Sequence, residues 1–189
     1  MLNQNNAWSA SFYESMQHQP NHAFVIASYA VFKSVVLRQW EELREGGIEF
    51  VPSPQDPYLG SHEMMNEVRN HLRLKVFTDN GASLPDDHPM KERVNAGIDG
   101  FEVLNDVFRG VHDIMGHVVS GSSFGPNGEK VAWESHRRTM PKAAHNALWC
   151  ETRGQNAWTN FAHDHPKRPI PDRPFGEQKS GLVPFFLAS

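Results

Sequence analysis

The sequence predicts one mainly α-helical domain that carries a small two-stranded β element. Apolar residues recur at three- and four-residue spacing in several stretches, the period of a helix that buries one face. Only Ile48 to Val51 and Leu74 to Phe77 read as short β-branched and aromatic runs of the kind that form strands. No repeat, linker or low-complexity block divides residues 1–189, and that length suffices to bury a core without disulfides or a partner subunit. The residues with chemistry to offer gather at about 99–163, ahead of a proline-rich tail at 164–189.

In chain order, Ala23 to Arg44 carries Phe24, Val25, Ala27, Tyr29, Val31, Phe32, Val35, Val36 and Trp40, with no sustained polar face in its first four turns. A largely buried helix is expected there, stopped by Gly46 and Gly47. The first strand run follows and is closed by Pro52, Pro54 and Pro57. Ser61 is the expected N-cap of a helix to about Leu72, because its hydroxyl can accept from an amide without an intrahelical partner. After the second strand run, residues 79–98 hold Gly81, Pro85, Pro89 and Gly97 with little periodicity, which predicts a long surface loop. Helical spacing returns from Phe101 to Val119. A glycine-rich turn at 120–128 precedes a helix from near Glu129, and Pro141 opens a last long helix from about Lys142 to Phe161. The tail, with Pro166, Pro169, Pro171 and Pro174, is expected to be mostly extended, its final apolar piece docking back on the domain.

Composition excludes several classes. The net charge is −4, with 18 Lys and Arg against 22 Asp and Glu, so no basic field draws in phosphate backbones and generalised nucleic-acid binding is disfavoured. A single cysteine, Cys150, allows neither an internal disulfide nor a paired-cysteine zinc or redox motif. The segment MLNQNNAWSASFYESM lacks the charge and apolar run of a signal peptide, and no stretch approaches the roughly 20 apolar residues of a membrane span. A cytoplasmic protein without a membrane partner is the expectation. Gly-rich phosphate loops, a nucleophile elbow and a Cys-His nucleophile are absent from the sequence.

Polar residues on apolar faces mark the candidate site. His112 stands within the stripe of Leu104, Phe108, Met115 and Val119; a lone case would be a core histidine, but Asp113 follows and His117 lies one turn on, giving HDIMGH. Glu151 and Gln155 sit on the stripe of Ala144, Ala147, Leu148 and Trp158, where a helix wants leucines. A carboxylate buried there must protonate, pair with a cation such as Arg153, or bind a metal. Glu129 and His136 share a face with Trp133, which carries them inward, whereas Glu134 falls on another face.

Two histidines and one carboxylate are the donor set of mononuclear Fe(II) sites that keep positions open for oxygen and substrate; zinc or manganese can occupy similar sets. On an ideal α-helix His112 and His117 diverge by about 140°. A local π-type widening would bring them together, eased by Gly116.

The spacing in His112-Asp113-Ile114-Met115-Gly116-His117 resembles the His-Glu-x-x-Gly-His iron motif of the aromatic amino acid hydroxylases. By that resemblance, which spans Phe108 to Gln155, His112 and His117 would bind Fe(II), and Glu151 in ALWCETRGQ would match the glutamate those enzymes supply from a downstream helix. Asp113 departs from that family's glutamate, the chain is shorter than its catalytic domain, and no pterin pocket is located. FRGVHDIMGH, GEKVAWESH, ETRGQNAW and EQKSGLVP also resemble segments of uncharacterised bacteriophage proteins, which would place the chain in a host cytoplasm.

The expectation drawn from these readings is a non-haem Fe(II) oxygenase acting on a small, amino-acid-like molecule. His112, His117 and Glu151 are its ligands. Asp113, His136, Gln155 and Glu129 orient ligands or meet substrate, and Arg153 and Asn156 bind an acidic or amide-bearing substrate or form a structural turn network. Three alternatives stand beside it. An HD-type phosphohydrolase would use His112-Asp113 with His62 or His71 and Asp164; a dinuclear carboxylate enzyme would add Glu129, His136 and Glu151; a non-enzymatic phage interaction protein would use none of them catalytically.

Overall fold

Trp40 anchors the core: its ring stacks on Phe50 with centroids 3.9 Å apart, meets Phe101 at 4.8 Å, and donates its indole N–H to the Ala96 carbonyl at 3.0 Å. Those three contacts join a helix, a strand and the loop before the candidate site, and burying so much aromatic surface is the largest favourable term in such a fold. The structure, a computed structural model, describes residues 2–188.

Helix α1 spans Leu2–Ser15 and α2 spans Ala23–Glu45. Strand β1 (Glu49–Ser53) pairs in parallel with β2 (Arg73–Phe77), Glu49 opposite Arg73, with α3 (Ser61–His71) as the crossover. Helix α4 (Leu104–His112) runs without a break into a π turn at Asp113–Val118, followed by α5 (Pro126–Arg137). A short 3₁₀ turn (Lys142–Ala144) leads to α6 (His145–Leu148), a second π turn (Trp149–Gly154) and α7 (Gln155–Phe161); α8 is Phe185–Ala188. The protein is therefore mainly α with one small parallel pair, as the periodicity predicts. No helix among the described residues is long and apolar enough to cross a membrane.

Several boundaries differ from the sequence expectations for physical reasons. Helix α1 has no strong apolar stripe to announce it, yet it packs on α7 and the second π turn through Tyr13 and Phe12, both against Trp149. Helix α2 is buried on one face only, leaving Phe24 and Ile26 half exposed because no element covers that side. Ser61 is the first helical residue rather than the N-cap; Gly60 takes the cap position without a side-chain bond. Helix α5 starts three residues early, at Pro126, whose missing N–H costs nothing in a first turn. The expected Lys142–Phe161 helix is one continuous rod broken in type by 3₁₀ and π segments.

The tail docks as expected. Asn146 Nδ2 donates to the Gly181 carbonyl at 2.9 Å while its Oδ1 accepts from the Val183 amide at 2.8 Å, and the Tyr13 hydroxyl donates to the Glu177 carbonyl at 2.8 Å. The tail thereby lies across α1 and α6, and Arg173, Phe175 and Gln178 reach the wall of the main cavity.

Gly154 closes the second π turn where α1 crosses it. A β-carbon there would lie 2.4 Å from the Trp149 ring and 2.6 Å from the Tyr13 ring. Gly154→Ala is accordingly expected to destabilise the protein by about 1–3 kcal/mol or more through overpacking, read as a lowered midpoint of chemical unfolding.

Candidate metal centre

Two wide helical turns face one cavity of about 830 Å³. In the first, the backbone pairs residues five apart, so His112 and His117 come onto one side although an α-helix would separate them. Widening leaves carbonyls short of partners, and hydroxyls supply them: Ser120 Oγ donates to Gly116 O, and Ser135 Oγ on α5 donates to Met115 O at 2.8 Å. Gly116 also sets the approach of α5, because a β-carbon there would meet the His112 ring at 3.0 Å and Ala132 at 3.1 Å.

The described residues contain one group of three possible metal ligands with their donor atoms within 4.8 Å of one another: His112, His117 and Glu129. His117 Nε2 lies 3.4 Å from Glu129 Oε2, and His112 Nε2 lies 4.0 Å from it. Glu129 comes from the first full turn of α5 and is directed inward as expected, although Trp133, expected on the same face, does not line this cavity.

The hydrogen bonds behind the two rings determine which nitrogens are bare. Thr139 Oγ1 donates to the His136 carbonyl, so it can only accept from Gln39 Nε2, at 2.8 Å. The Gln39 Oε1 atom is then left to accept from His136 Nε2–H at 3.0 Å. Burial, and then the proximity of His112, depress the His136 pKa well below the usual histidine range, so its Nδ1 carries no proton. That atom accepts from His112 Nδ1–H at 3.1 Å, and the remaining nitrogen of His112, Nε2, is a bare lone pair with no partner. On the other ring, His117 Nδ1 lies 3.2 Å from the Ser122 carbonyl, which can only accept, and 3.3 Å from the Ser122 hydroxyl; with its proton given to that carbonyl, the lone pair of Nε2 faces Glu129.

Two lone pairs and a carboxylate thus point at one another, an arrangement that repels unless a cation sits between them. Atoms each about 2.0–2.2 Å from one ion lie roughly 3–4 Å apart, close to the spacing seen. Without an ion a proton takes part of that place. Burial opposes charge on His117, but the adjacent Glu129 outweighs it and raises the His117 pKa; burial also works against the Glu129 carboxylate, yet the two imidazoles hold it down at about 2. The donor set, the orphaned Nε2 and the locked tautomers all fit a divalent metal.

Glu151, the expected third ligand, is not in this group. The second π turn places its carboxyl on the same cavity but against the Tyr29 hydroxyl of α2, which donates to Oε1, with His88 Nε2 at 3.7 Å. His88 Nδ1 accepts from the Met90 amide, so Nε2 carries its proton and points towards the carboxyl. Burial raises the Glu151 pKa to about 8 and lowers that of His88 to about 4. Both are neutral near pH 7, which is how the fold tolerates a carboxyl among core residues.

The other candidate residues separate cleanly. Asp113 lines the cavity with its pKa raised to about 7 by burial, and Gln155 and Asn156 line it too, the Asn156 Oδ1 without a partner. His136 stands behind His112, bonded to its Nδ1, and neither it nor Glu151 joins the one convergent group among the described residues, so the dinuclear set is not brought together. Arg153 points away from the cavity and is bonded to Asn6 of α1. The groups an HD-type centre would add lie in surface pairs, His62 with Asn66 and Asp164 with Arg168. Sequence reasoning missed Gln39, Tyr29, Ser122 and His88. Gln39 and Tyr29 were findable as polar groups at buried helical positions of α2, whereas Ser122 and His88 sit in loops that carry no period.

Comparison of the chain with family models, with curated proteins and with solved structures finds no match.

Glu151 offers a direct check on these assignments. Its pKa is raised in the folded state, so the folded chain holds that proton more tightly than the unfolded one; the resulting stability is complete below the unfolded carboxyl range and is lost as pH rises towards about 8. Glu151→Gln removes that loss. Denaturant midpoints of wild type and variant are expected to agree near pH 4.5 and to diverge in favour of the variant up to about pH 8, with no further divergence above it.

Proposed function

We propose that the protein is a mononuclear non-haem metal enzyme, with Fe(II) bound by His112, His117 and Glu129, that oxidises a small molecule held in the adjoining cavity. The observation that carries this reading is the pair of imidazoles held with their Nε2 atoms towards one carboxylate, the three donor atoms within 4.8 Å of one another. His112 and Glu129 lie on the cavity wall, so a bound ion would adjoin the space where substrate sits. Iron in such a site supplies oxygen activation, the chemistry for which two histidines and one carboxylate with open positions are the usual set.

The chain's own residues supply orientation and binding. The His136, Gln39 and Thr139 chain holds the His112 ring in its tautomer, and the Ser122 carbonyl does the same for His117. Phe77, Phe108 and Phe124 give the cavity apolar walls, while Asn105, Gln155 and Asn156 add amides. That mixture suits a molecule with an apolar body and an amide, amine or hydroxyl group, consistent with an amino-acid-like substrate. Asp113 and Glu151, whose pKa values lie near neutrality, are placed on the wall to take or give a proton. The resemblance of HDIMGH to the iron motif of the aromatic amino acid hydroxylases supports iron, although the carboxylate comes from Glu129, closer in sequence than in those enzymes.

Metal analysis of the purified protein tests the reading. One equivalent of iron is expected in wild type and in Glu151→Gln, with affinity lowered roughly 100-fold or more in His117→Ala and Glu129→Gln. Two equivalents would favour a dinuclear centre, and loss of metal in Glu151→Gln but not in Glu129→Gln would sink the assignment. Gly116→Ala, which pushes on the His112 ring, is expected to lower metal affinity about 10-fold or more while leaving the helix content by circular dichroism unchanged.

A further inference from the structure

A second, smaller cavity of about 150 Å³ lies between α1, α5, the second π turn and α8, lined by Ser9, Lys130, Trp133, Glu134, Arg153 and Phe186. It shares no lining residue with the main cavity, and α5 separates the two: Glu129 faces the candidate metal centre while Lys130, Trp133 and Glu134 face this pocket.

Its walls are unbalanced in a specific way. Arg153 is only 4% exposed, and no carboxylate among the described residues lies within ion-pair distance of it. One guanidinium nitrogen donates to Asn6 Oδ1, but Nη1 is buried without a partner. The indole Nε1–H of Trp133 is likewise buried and unpartnered, and so are Asn6 Nδ2 and Arg137 Nε, the latter on a guanidinium lying 5.3 Å over the Trp133 ring. Two of the seven orphaned buried polar atoms among the described residues, Arg153 Nη1 and Trp133 Nε1, are therefore N–H donors of residues that line this pocket. Acceptors are scarce, since the single carboxylate of the pocket, Glu134, is already paired with Lys130 at 2.8 Å. With that pair neutral, the pocket keeps one net positive charge, to which Glu134 offers only a weaker, longer-range attraction. A buried guanidinium in that state is costly unless a counter-charge with several acceptor atoms is supplied.

We infer that this pocket binds a small oxyanion, inorganic phosphate or sulfate, through Arg153 and Trp133 with Lys130 at its edge. A tetrahedral oxyanion carries enough acceptors to meet donors arriving from two helices, and a guanidinium edge is the side-chain group best matched to it. The volume suits one such group; a halide would leave most of it empty. The pocket takes no part in the metal chemistry proposed above, and its occupation would brace α5 against the second π turn.

The test is titration of the full-length protein with inorganic phosphate by calorimetry, at constant ionic strength made up with chloride, alongside thermal unfolding. Saturable one-to-one binding and a rise in Tm with phosphate concentration are expected. Trp133→Phe keeps the ring and removes one donor, and should weaken binding about three- to ten-fold. Arg153→Lys should weaken it about ten-fold or more, and Glu129→Gln should leave it unchanged, which separates this site from the metal centre. If Arg153→Lys fails to fold, Trp133→Phe decides. Absence of saturable phosphate or sulfate binding, stabilisation by chloride equal to that by phosphate, or an affinity indifferent to both pocket variants would each overturn the inference.

Discussion

Two imidazoles, each held with its Nε2 towards Glu129, form the constraint around which the rest of the site is organised. Neither ring is free to choose its tautomer. His117 is tied to a backbone carbonyl of the loop that follows it, and His112 is tied through His136 to Gln39 and Thr139, so that α2, α5 and the turn after α5 all contribute to the state of one nitrogen. Such chains behind a ring set both its orientation and its basicity. The Phe108 ring, stacked over His136 at 6.0 Å and tilted against His112 at 5.6 Å, keeps this relay out of water.

The wide turns make that geometry possible. An ordinary α-helix cannot direct residues five apart at a common point, and the extra residue per turn leaves carbonyls that must be satisfied elsewhere. Ser120 and Ser135 answer for the first π turn, and Thr152, donating to Leu148 O at 2.6 Å, for the second. Glycine then lets a neighbouring element come close enough to hold each distortion: α5 at Gly116, α1 at Gly154. Local chemistry and tertiary packing agree at both turns, as expected where a sequence specifies an unusual backbone.

Much of this was legible before any coordinates. The helices expected from Ala23, Phe101 and near Glu129, the two strands, and the need for a widened turn between His112 and His117 follow from spacing alone, with starts that the structure moves to Leu104 and Pro126. The burial of Glu151 was legible too, because a carboxyl on an apolar stripe has few fates. Which fate it meets was not: its partner is Tyr29, 122 residues away, and pairings at that range leave no mark in local periodicity. Glu129 is legible on an inward face but not as a ligand, since its neighbour Gly128 and the preceding turn hide how near α5 begins to the first π turn. Helix α1 was the element least legible, its packing against Trp149 being decided by the shape of a partner encoded much later in the chain.

The two π turns also make the protein unusually sensitive to length. Each is in effect one surplus residue lodged in an otherwise α-helical rod. Excision of a single amino acid from either would let the ladder relax to the ordinary repeat, leaving the helix beyond nearly in register but abolishing the widened turn to which the hydroxyl partners and the crossing helix are fitted. That fit constrains both the number of residues in each turn and the glycine on which its neighbour packs, so descendants of this chain should keep the length between His112 and His117, and Gly116 with it, while the side chains of Ile114 and Met115 vary.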